Sequence, residues 1–301
     1  MRTIKELNEL IPQEDLFHTG HALCPGCPGG MAARWLTKVL GRNTIANMGA
    51  TCMVLTTQVH PYSLEVPSFF IAMAPAAAGM SGMSAAIKVL KRKGVIPPDH
   101  KINIIALSGD GSTGDIGMAA LSGIAERNDD GIYFCYDNEA YMNTGIQRSS
   151  STPQFSWTTS TTKGKAQRKK DLPRIMAAHD IPYVATVSVG YPEDFIAKVT
   201  KARDMEPGFK YIHIQAPCPT GWRFPESKTV EMARLSVETG FFILYEVDHG
   251  AFRITYRPPK RKPVGEYLRL QGRFDSLTHE DIQTLQHWVD ENWEQLDSYC
   301  R

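Results

Sequence analysis

The chain has 301 residues, a formal net charge of +1 and 42% hydrophobic residues, values typical of a globular protein with one large or two medium domains. Lys and Arg form no long runs, so we expect neither nucleic acid nor an anionic membrane as a partner. The basic runs at 169–170 and 260–262 are expected on the solvated surface. No window approaches the roughly 20 apolar residues of a membrane span, and residues 1–16 lack a secretory signal core. The sequence therefore predicts a cytoplasmic protein with reduced cysteines.

Short apolar segments alternate along the chain with longer segments of helical periodicity. Strands are predicted at 44–48, 102–108, 132–137, 183–187, 211–216 and 241–247. Helices are predicted at 30–40, 76–91, 116–127, 172–179, 193–203 and 228–238. This alternation predicts an α/β fold with a mainly parallel sheet and helices on both faces.

Two segments interrupt the alternation. Residues 143–170 are rich in Ser, Thr, Gly and basic residues without clear periodicity, and loops of that length are usually functional or mobile. Residues 256–301 begin with a proline-rich stretch and end in an amphipathic helix predicted at 278–296. We therefore expect a main domain of residues 1–255 and a C-terminal arm and helix, which contacts another subunit or packs on its own domain.

A glycine-flanked acid, Gly109-Asp110-Gly111, follows the second of these predicted strands. Ligands of parallel sheets bind at the carboxyl ends of strands, and glycines let backbone amides approach a phosphate. The N-terminus of the following helix favours anions, and Asp110 is suited to a hard cation such as Mg²⁺. Asn138 ends the next strand, so its side-chain carbonyl is expected beside the same ion. A glycine-rich turn without a ligand is the alternative.

This pairing resembles the thiamine-diphosphate motif, and residues 137–153, DNEAYMNTGIQRSSSTP, resemble the β subunit of the 2-oxoacid:ferredoxin oxidoreductases. The resemblance implies a thiamine-diphosphate-binding fold in which Asp110, Asn138 and the backbone carbonyl of Ala140 hold Mg²⁺. Asn143 and Asp115 are the residues for which a catalytic role is implied. The alternative for Asp115 is that it stabilises the N-terminus of a helix. The further residues implied to contact the cofactor are Thr51, Cys52, Gly109, Gly111, Ser112, Thr144 and Gly145, with Ser112 at the diphosphate.

Four cysteines are predicted to converge on one point. Cys24 and Cys27 form a Cys-x-x-Cys pair, which is typical of a redox dithiol, a zinc half-site or an iron–sulfur half-site. Cys52 and Cys218 each follow a predicted strand, so both are expected at the carboxyl edge of the sheet. Four thiolates bind Zn²⁺ or a [4Fe–4S] cluster, and spacing alone does not choose. The segments HALCPGC and APCPTGW resemble the same family, which implies the cluster as the acceptor of electrons from the cofactor.

The remaining candidate residues have weaker signals. His18 and His21 precede the cysteine pair and either line the cofactor pocket or pack locally. Arg148 faces a phosphate, a substrate carboxylate or solvent. Cys135, inside a strand, is expected as a small buried hydrophobe, and Cys300 is expected to have no role.

The resemblance also implies the reaction, namely oxidative decarboxylation of a 2-oxoacid with coenzyme A as co-substrate. A second cofactor-binding domain is not found, which implies an α subunit that completes the thiamine site, further subunits with clusters, and ferredoxin or a similar acceptor. Residues 70–75 are less polar than expected of the pyruvate enzymes, so pyruvate and a bulkier or aromatic 2-oxoacid both stay open. The alternatives are a non-redox thiamine decarboxylase or synthase, and a non-catalytic iron–sulfur or zinc subunit.

Overall fold

The computed structural model describes Glu6, residues 14–57 and residues 62–300. The strands of the described residues are β1 Thr44–Gly49, β2 Ser68–Ile71, β3 Asn103–Gly109, β4 Gly131–Asp137, β5 Tyr183–Ser188, β6 Phe209–Gln215, β7 Tyr245–Asp248 and β8 Ala251–Ile254. The helices are α1 Pro28–Leu40, α2 Ala76–Arg92, α3 Met118–Arg127, α4 Leu172–Ala177, α5 Pro192–Asp204, α6 Pro219–Trp222, α7 Thr229–Glu238, α8 Val264–Leu268 and α9 His279–Tyr299. Short 3₁₀ turns occupy Cys52–Thr56, Glu226–Lys228 and Gly272–Phe274, and a π turn occupies Ser112–Ile116.

The strands form one eight-stranded sheet in the order β2-β1-β3-β4-β6-β5-β7-β8. All pairs from β2 to β5 are parallel, and β7 and β8 add antiparallel neighbours at one edge. The central strands β4, β5 and β6 are buried along their whole length, and most of their residues are apolar or aromatic. The predicted α/β fold with a mainly parallel sheet is confirmed.

The edge strands are where the prediction and the structure differ. β2 and β8 were not predicted, because both are only four residues long and largely exposed, so neither has a strong apolar pattern. The strand predicted at 241–247 begins only at Tyr245, although residues 241–244 are largely buried. Burial without sheet pairing gives the same apolar sequence as a buried strand.

Helices cover both faces of the sheet. One apolar cluster packs α1 and α5 against one face, and a second packs α2, α3 and α4 against the other. A third cluster, here called the C-terminal cluster, joins α7 and α8 to α9. Within the part of the chain that the structure describes, no helix is long and apolar enough to cross a membrane.

The C-terminal helix α9 packs on its own chain. It begins with a capping box between Thr278 and Asp281, and it buries Leu285, Val289 and Leu296 against the rest of the protein. The predicted helix is therefore present, and it buries one face within the subunit. A contact of residues 256–301 with another subunit stays a prediction.

Candidate functional site

An open cleft lies at the carboxyl ends of β1, β3 and β4. Parallel pairing brings these ends together, for example by placing Gly109 of β3 opposite Tyr136 of β4. Most of the residues predicted to contact a cofactor line this cleft, whereas Asp115 and Gly145 do not. The lining comprises Ala50, Thr51, Cys52, Met73, Gly109, Asp110, Gly111, Ser112, Tyr136, Asn138, Ala140, Tyr141, Met142, Asn143 and Thr144.

The turn after β3 is tightly packed, and this explains its glycines. A Cβ atom on Gly111 would lie 2.3 Å from the ring of Tyr141, a separation that side chains do not show. The hydroxyl of Ser112 accepts from Ser108 at 2.6 Å and donates to the carbonyl of Met73 at 2.6 Å. Ser112, predicted at the diphosphate, therefore lies in the cleft wall and ties the turn to the segment before α2.

Oxygen atoms converge at the base of the cleft. The side-chain atom of Asn138 that faces the cleft lies 2.9 Å from the carbonyl oxygen of Ala140 and 3.1 Å from Oδ1 of Asp110. If this atom is the amide nitrogen, it donates to both oxygens. If it is the amide oxygen, three oxygens converge at the spacing of an octahedral Mg²⁺ site, where Mg–O distances of about 2.1 Å separate neighbouring ligands by about 3.0 Å. In this second orientation the donor atoms fit the cation, and the assignment of the three residues as its ligands stays a prediction.

Asp110 lies in an environment where burial and a neighbouring carboxylate outweigh the positive charge of Lys169. It is 1% exposed and accepts a hydrogen bond from Ser149. Burial raises the pKa of Asp110 well above its usual range, and the nearby carboxylate of Asp137 raises it further. A bound divalent cation would reverse this balance, because it favours the ionised carboxylate.

Asp137, the last residue of β4, has the opposite environment. Its Oδ2 accepts from Nε2 of His213 at 2.9 Å and from Nζ of Lys169 at 3.3 Å. Burial opposes ionisation, but Lys169 and His213 lower the pKa of Asp137 to about 2. Lys169 was expected on the solvated surface, and that expectation is wrong, because its ammonium lies between the buried carboxylates of Asp137 and Glu139. The basic run in the sequence gave no sign of this, since the partners lie about 30 positions earlier.

Asp115 holds the long loop in place. Its Oδ2 accepts from the hydroxyl of Tyr141 at 3.1 Å and from the backbone amide of Ser150 at 3.0 Å. Burial, followed by the charge of Asp115, raises the pKa of Tyr141. These contacts support an anchoring role beside the cleft, and the catalytic role of Asp115 stays a prediction without a contact in the cleft.

The loop of residues 143–170 is held by many polar contacts. Lys165 is 1% exposed, and its ammonium donates to the carbonyls of Thr152 at 2.6 Å and Ser150 at 3.0 Å. Gly145 has φ +120° and its carbonyl accepts from Thr159, outside the cleft lining. Asn143 is exposed at the cleft mouth.

The four predicted ligand cysteines influence one another. Burial and the neighbouring thiols of Cys218, Cys27 and Cys24 together raise the pKa of Cys52 to about 12. Burial likewise raises the pKa of Cys218 to about 11, with contributions from Cys27 and Cys24. All four are free thiols. Across the described residues, no three His, Cys, Asp or Glu side chains form a group that could hold a metal ion.

The thiols lie beside the base of the cleft. Sγ of Cys27 is 3.3 Å from the hydroxyl of Tyr136, a fully buried residue of β4. The side-chain amide of Asn138 donates to Sγ of Cys52 at 3.7 Å, and the backbone amide of Gly221 donates to Sγ of Cys218 at 3.3 Å. Cys27 and Cys52 therefore contact residues that line the cleft, Tyr136 and Asn138. Tyr136 was not predicted from the sequence, because an aromatic residue in a buried strand has no distinguishing signal.

The weaker candidates lie outside the cleft lining. His18 pairs with Glu65 at 2.7 Å, and the ring of His21 stacks on Phe17 with centroids 5.4 Å apart. Arg148 is exposed, and its backbone amide donates to Ser160. Cys135 is fully buried in β4, as expected.

A larger cavity, of about 680 Å³, lies under α9. It is lined by Lys169, His213 and Tyr245 among other residues, and it contains none of the predicted site residues. Size alone therefore does not identify the functional cleft.

Comparisons with known proteins agree with this geometry. The family described as thiamine pyrophosphate enzyme, C-terminal TPP binding domain, matches residues 30–214. Pyruvate synthase subunit PorB of Methanocaldococcus jannaschii is 52% identical over 93% of this chain and 96% of its own length. Ketoisovalerate oxidoreductase subunit VorB of Pyrococcus horikoshii is 47% identical over 95% of this chain and 94% of its own length. A solved 2-oxoglutarate:ferredoxin oxidoreductase from Magnetococcus marinus is similar in fold, with a TM-score of 0.56 and 21% identity over 75% of this chain and 79% of its own.

Proposed function

The chain belongs to the β subunits of the 2-oxoacid:ferredoxin oxidoreductases and contains a thiamine-diphosphate-binding domain, and on this premise we propose that its cleft binds the cofactor through Mg²⁺ beside a [4Fe–4S] cluster. The enzyme oxidatively decarboxylates a 2-oxoacid. A non-redox thiamine enzyme and a non-catalytic subunit, the two alternatives, find no support among the relatives.

The convergence of the Asp110 carboxylate, the Ala140 carbonyl and the side-chain amide of Asn138 is the observation that carries the proposal. Asp110, Asn138 and the Ala140 carbonyl would hold Mg²⁺, which bridges phosphate oxygens. The glycines at 109 and 111 would let the diphosphate approach the backbone, and Thr51, Ser112, Asn143 and Thr144 line the space beside it. Asp110 would remain ionised there, because the cation would add positive charge next to the carboxylate.

The donor set of four thiols fits an iron–sulfur cluster. Cys24, Cys27, Cys52 and Cys218 would bind it as thiolates, and the raised pKa values of Cys27, Cys52 and Cys218 mean that these thiols would release protons when iron binds. When bound, thiamine diphosphate would supply the nucleophile and electron sink for decarboxylation of the 2-oxoacid, and the cluster would supply a one-electron acceptor. Such thiols require a reducing compartment, so we propose that the enzyme is cytoplasmic.

A second subunit would complete the site. The cleft is open to solvent, and the neighbouring edge strand β2 exposes Phe69 and Phe70, the latter 60% exposed. Exposed aromatic side chains next to an open cleft are typical of a protein interface. We propose that an α subunit covers this region, that other subunits carry further clusters, and that ferredoxin or a similar protein accepts the electrons.

The substrate is proposed to be a small or branched aliphatic 2-oxoacid. Relatives named for pyruvate and for ketoisovalerate are 52% and 47% identical to this chain, so overall similarity does not separate these two substrates. Coenzyme A is proposed as the acceptor of the acyl group. Initial rates of the native complex with a panel of 2-oxoacids, with and without coenzyme A, test both assignments.

Composition of the native complex tests the cofactors. We expect anaerobic purification with the partner subunits to yield thiamine diphosphate, Mg²⁺, and about four irons and four sulfides at this subunit. Cys218→Ser should remove the irons of this site and abolish acceptor reduction while thiamine stays bound. The difference in iron content between wild type and Cys218→Ser then gives the iron of this site, because iron on other subunits is common to both. Cys300→Ser, a thiol outside the four, is the matched control. Iron content and acceptor reduction that are unchanged in Cys218→Ser would contradict the cluster assignment.

A further inference from the structure

Glu139, between the two proposed Mg²⁺ ligands of the β4 loop, has an unusual backbone conformation. Its φ is +66°, in the left-handed region that residues with a side chain rarely adopt. This conformation turns the chain so that the side chain of Asn138 and the carbonyl of Ala140 face the same point as Asp110. The oxygen cage therefore depends on whatever holds Glu139.

Every polar group of Glu139 has a partner. Its backbone amide donates to Oδ1 of Asp137 at 2.9 Å, and its carbonyl accepts from Thr152 at 2.6 Å. Its buried carboxylate accepts from Lys169 at 2.8 Å and from Nη2 of Arg273 at 2.6 Å. Both Glu139 and Arg273 are 2% exposed, so this ion pair is shielded from solvent.

Arg273 is itself fixed in position. Its Nε donates to Gln271 at 2.9 Å, and its guanidinium stacks on the ring of Trp222, 3.9 Å from the centroid. The indole Nε1 of Trp222 in turn donates to the carbonyl of Asn138 at 2.9 Å. Trp222 thus binds the backbone of Asn138, and Arg273, which stacks on Trp222, binds the side chain of Glu139.

We propose that Arg273 is a positioning residue for the metal and diphosphate site, and that it acts by holding Glu139. The proposal rests on the proposed function of the cleft, since it concerns affinity for Mg²⁺ and thiamine diphosphate. Arg273 lies beyond the residues 30–214 that match the family domain, so the C-terminal segment contributes to the cofactor site without contacting the cofactor. Partners that orient metal ligands typically change metal affinity by about 10–100-fold when replaced.

The assembled enzyme is first stripped of metal with a chelator. Titration calorimetry at saturating thiamine diphosphate then measures the Kd of Mg²⁺. Arg273→Met is expected to raise the Mg²⁺ Kd by about 10–100-fold, and Arg273→Lys, which keeps the charge but loses the planar fork, by less. Arg257→Met is the matched control, because Arg257 pairs with Asp297 on the surface of the same segment. Its Kd is expected to equal that of the wild type.

The melting temperature of the metal-free enzyme separates positioning from general stability. A merely structural role would lower this temperature and leave the Mg²⁺ Kd of the folded enzyme unchanged, which would overturn the proposal. If Arg273→Met does not assemble, Arg273→Lys and Glu139→Gln decide the question by the same titration. Wild-type enzyme that binds no thiamine diphosphate would refute the proposed function itself, whereas wild-type affinity in the folded Arg273 variants would refute only the positioning role.

Discussion

Replacing Asp110 by asparagine is expected to remove ligand binding without lowering the stability of the metal-free enzyme. The carboxyl is 1% exposed and accepts a hydrogen bond from the Ser149 hydroxyl. Burial and the charge of Asp137 raise the pKa of Asp110 in the folded state. Such a group stabilises the fold fully below its unfolded pKa, near 3.8, and this stabilisation is lost as the pH rises through the folded pKa. Asparagine has no such loss, so the metal-free variant should be as stable as the wild type at neutral pH, or more stable.

In the presence of Mg²⁺ and thiamine diphosphate, by contrast, Asp110→Asn should be less stable than the wild type. A ligand at 100 times its Kd stabilises the folded enzyme by about 2.7 kcal/mol. Loss of the only charged oxygen among the three proposed ligands should weaken binding at least about 100-fold, by comparison with the effect of outer partners. The same ligand concentration would then contribute about 0.4 kcal/mol. The difference corresponds to a change in melting temperature on the order of 5 °C.

Differential scanning calorimetry of the assembled enzyme, with and without Mg²⁺ and thiamine diphosphate, measures both quantities. We expect the ligands to raise the melting temperature of the wild type and to leave that of Asp110→Asn nearly unchanged. A variant that melts several degrees lower without ligand, and is stabilised by ligand like the wild type, would refute the assignment of Asp110 as a metal ligand.

Asp137→Asn is the matched control and should behave in the opposite way. Lys169 and His213 lower the folded pKa of Asp137 to about 2, so its stabilisation is present above the unfolded pKa and is lost as the pH falls through the folded pKa. The shift from 3.8 to about 2 corresponds to about 2 kcal/mol at neutral pH. The metal-free Asp137→Asn variant should therefore melt at a lower temperature than the wild type at pH 7, with a difference that shrinks in acid.

Two further substitutions test the cysteine region. Gly26 has φ +68°, and a Cβ atom there would lie 2.5 Å from the carbonyl oxygen of Glu226, so Gly26→Ala should reduce iron content and stability. Gly82→Ala is its control and should keep full iron content, because no atom lies within 4 Å of a Cβ atom at that position.

Tyr136→Phe removes the hydroxyl beside Sγ of Cys27, and loss of a hydrogen bond to a cluster sulfur should lower the reduction potential measured by redox titration. An unchanged potential would show that Tyr136 does not donate to the cluster.

Local sequence patterns predicted most of the central sheet and the residues at its carboxyl edge. The strand before Gly109 and the strand before Asn138 are continuous apolar segments, and parallel pairing then requires that the residues following them meet. The same reasoning predicted that Cys52 and Cys218 lie at this edge of the sheet. These predictions depend on neighbours in sequence and on one rule of topology, and both can be read from a single chain.

The supporting contacts could not be predicted in this way. Arg273 pairs with Glu139 across 134 positions, and Lys169 with Glu139 across 30. An arginine in an irregular C-terminal segment and a lysine in a basic run are most often solvated, so their sequence signal is that of the surface. Only the packed structure brings them to buried carboxylates, and the misjudged position of Lys169 follows from this.

Asn138 links the two proposed cofactors, and this constrains how its amide is oriented. One end of the amide faces Asp110 and Ala140, and the other end faces Sγ of Cys52 at 3.7 Å. With nitrogen toward the two oxygens, the metal-free site is satisfied by hydrogen bonds, but the amide oxygen then faces a cysteine sulfur. With oxygen toward them, the amide binds a cation and its NH₂ group donates to the sulfur, which suits a thiolate on a cluster. Binding of Mg²⁺ and binding of iron therefore favour the same orientation, so each proposed cofactor prepares Asn138 for the other.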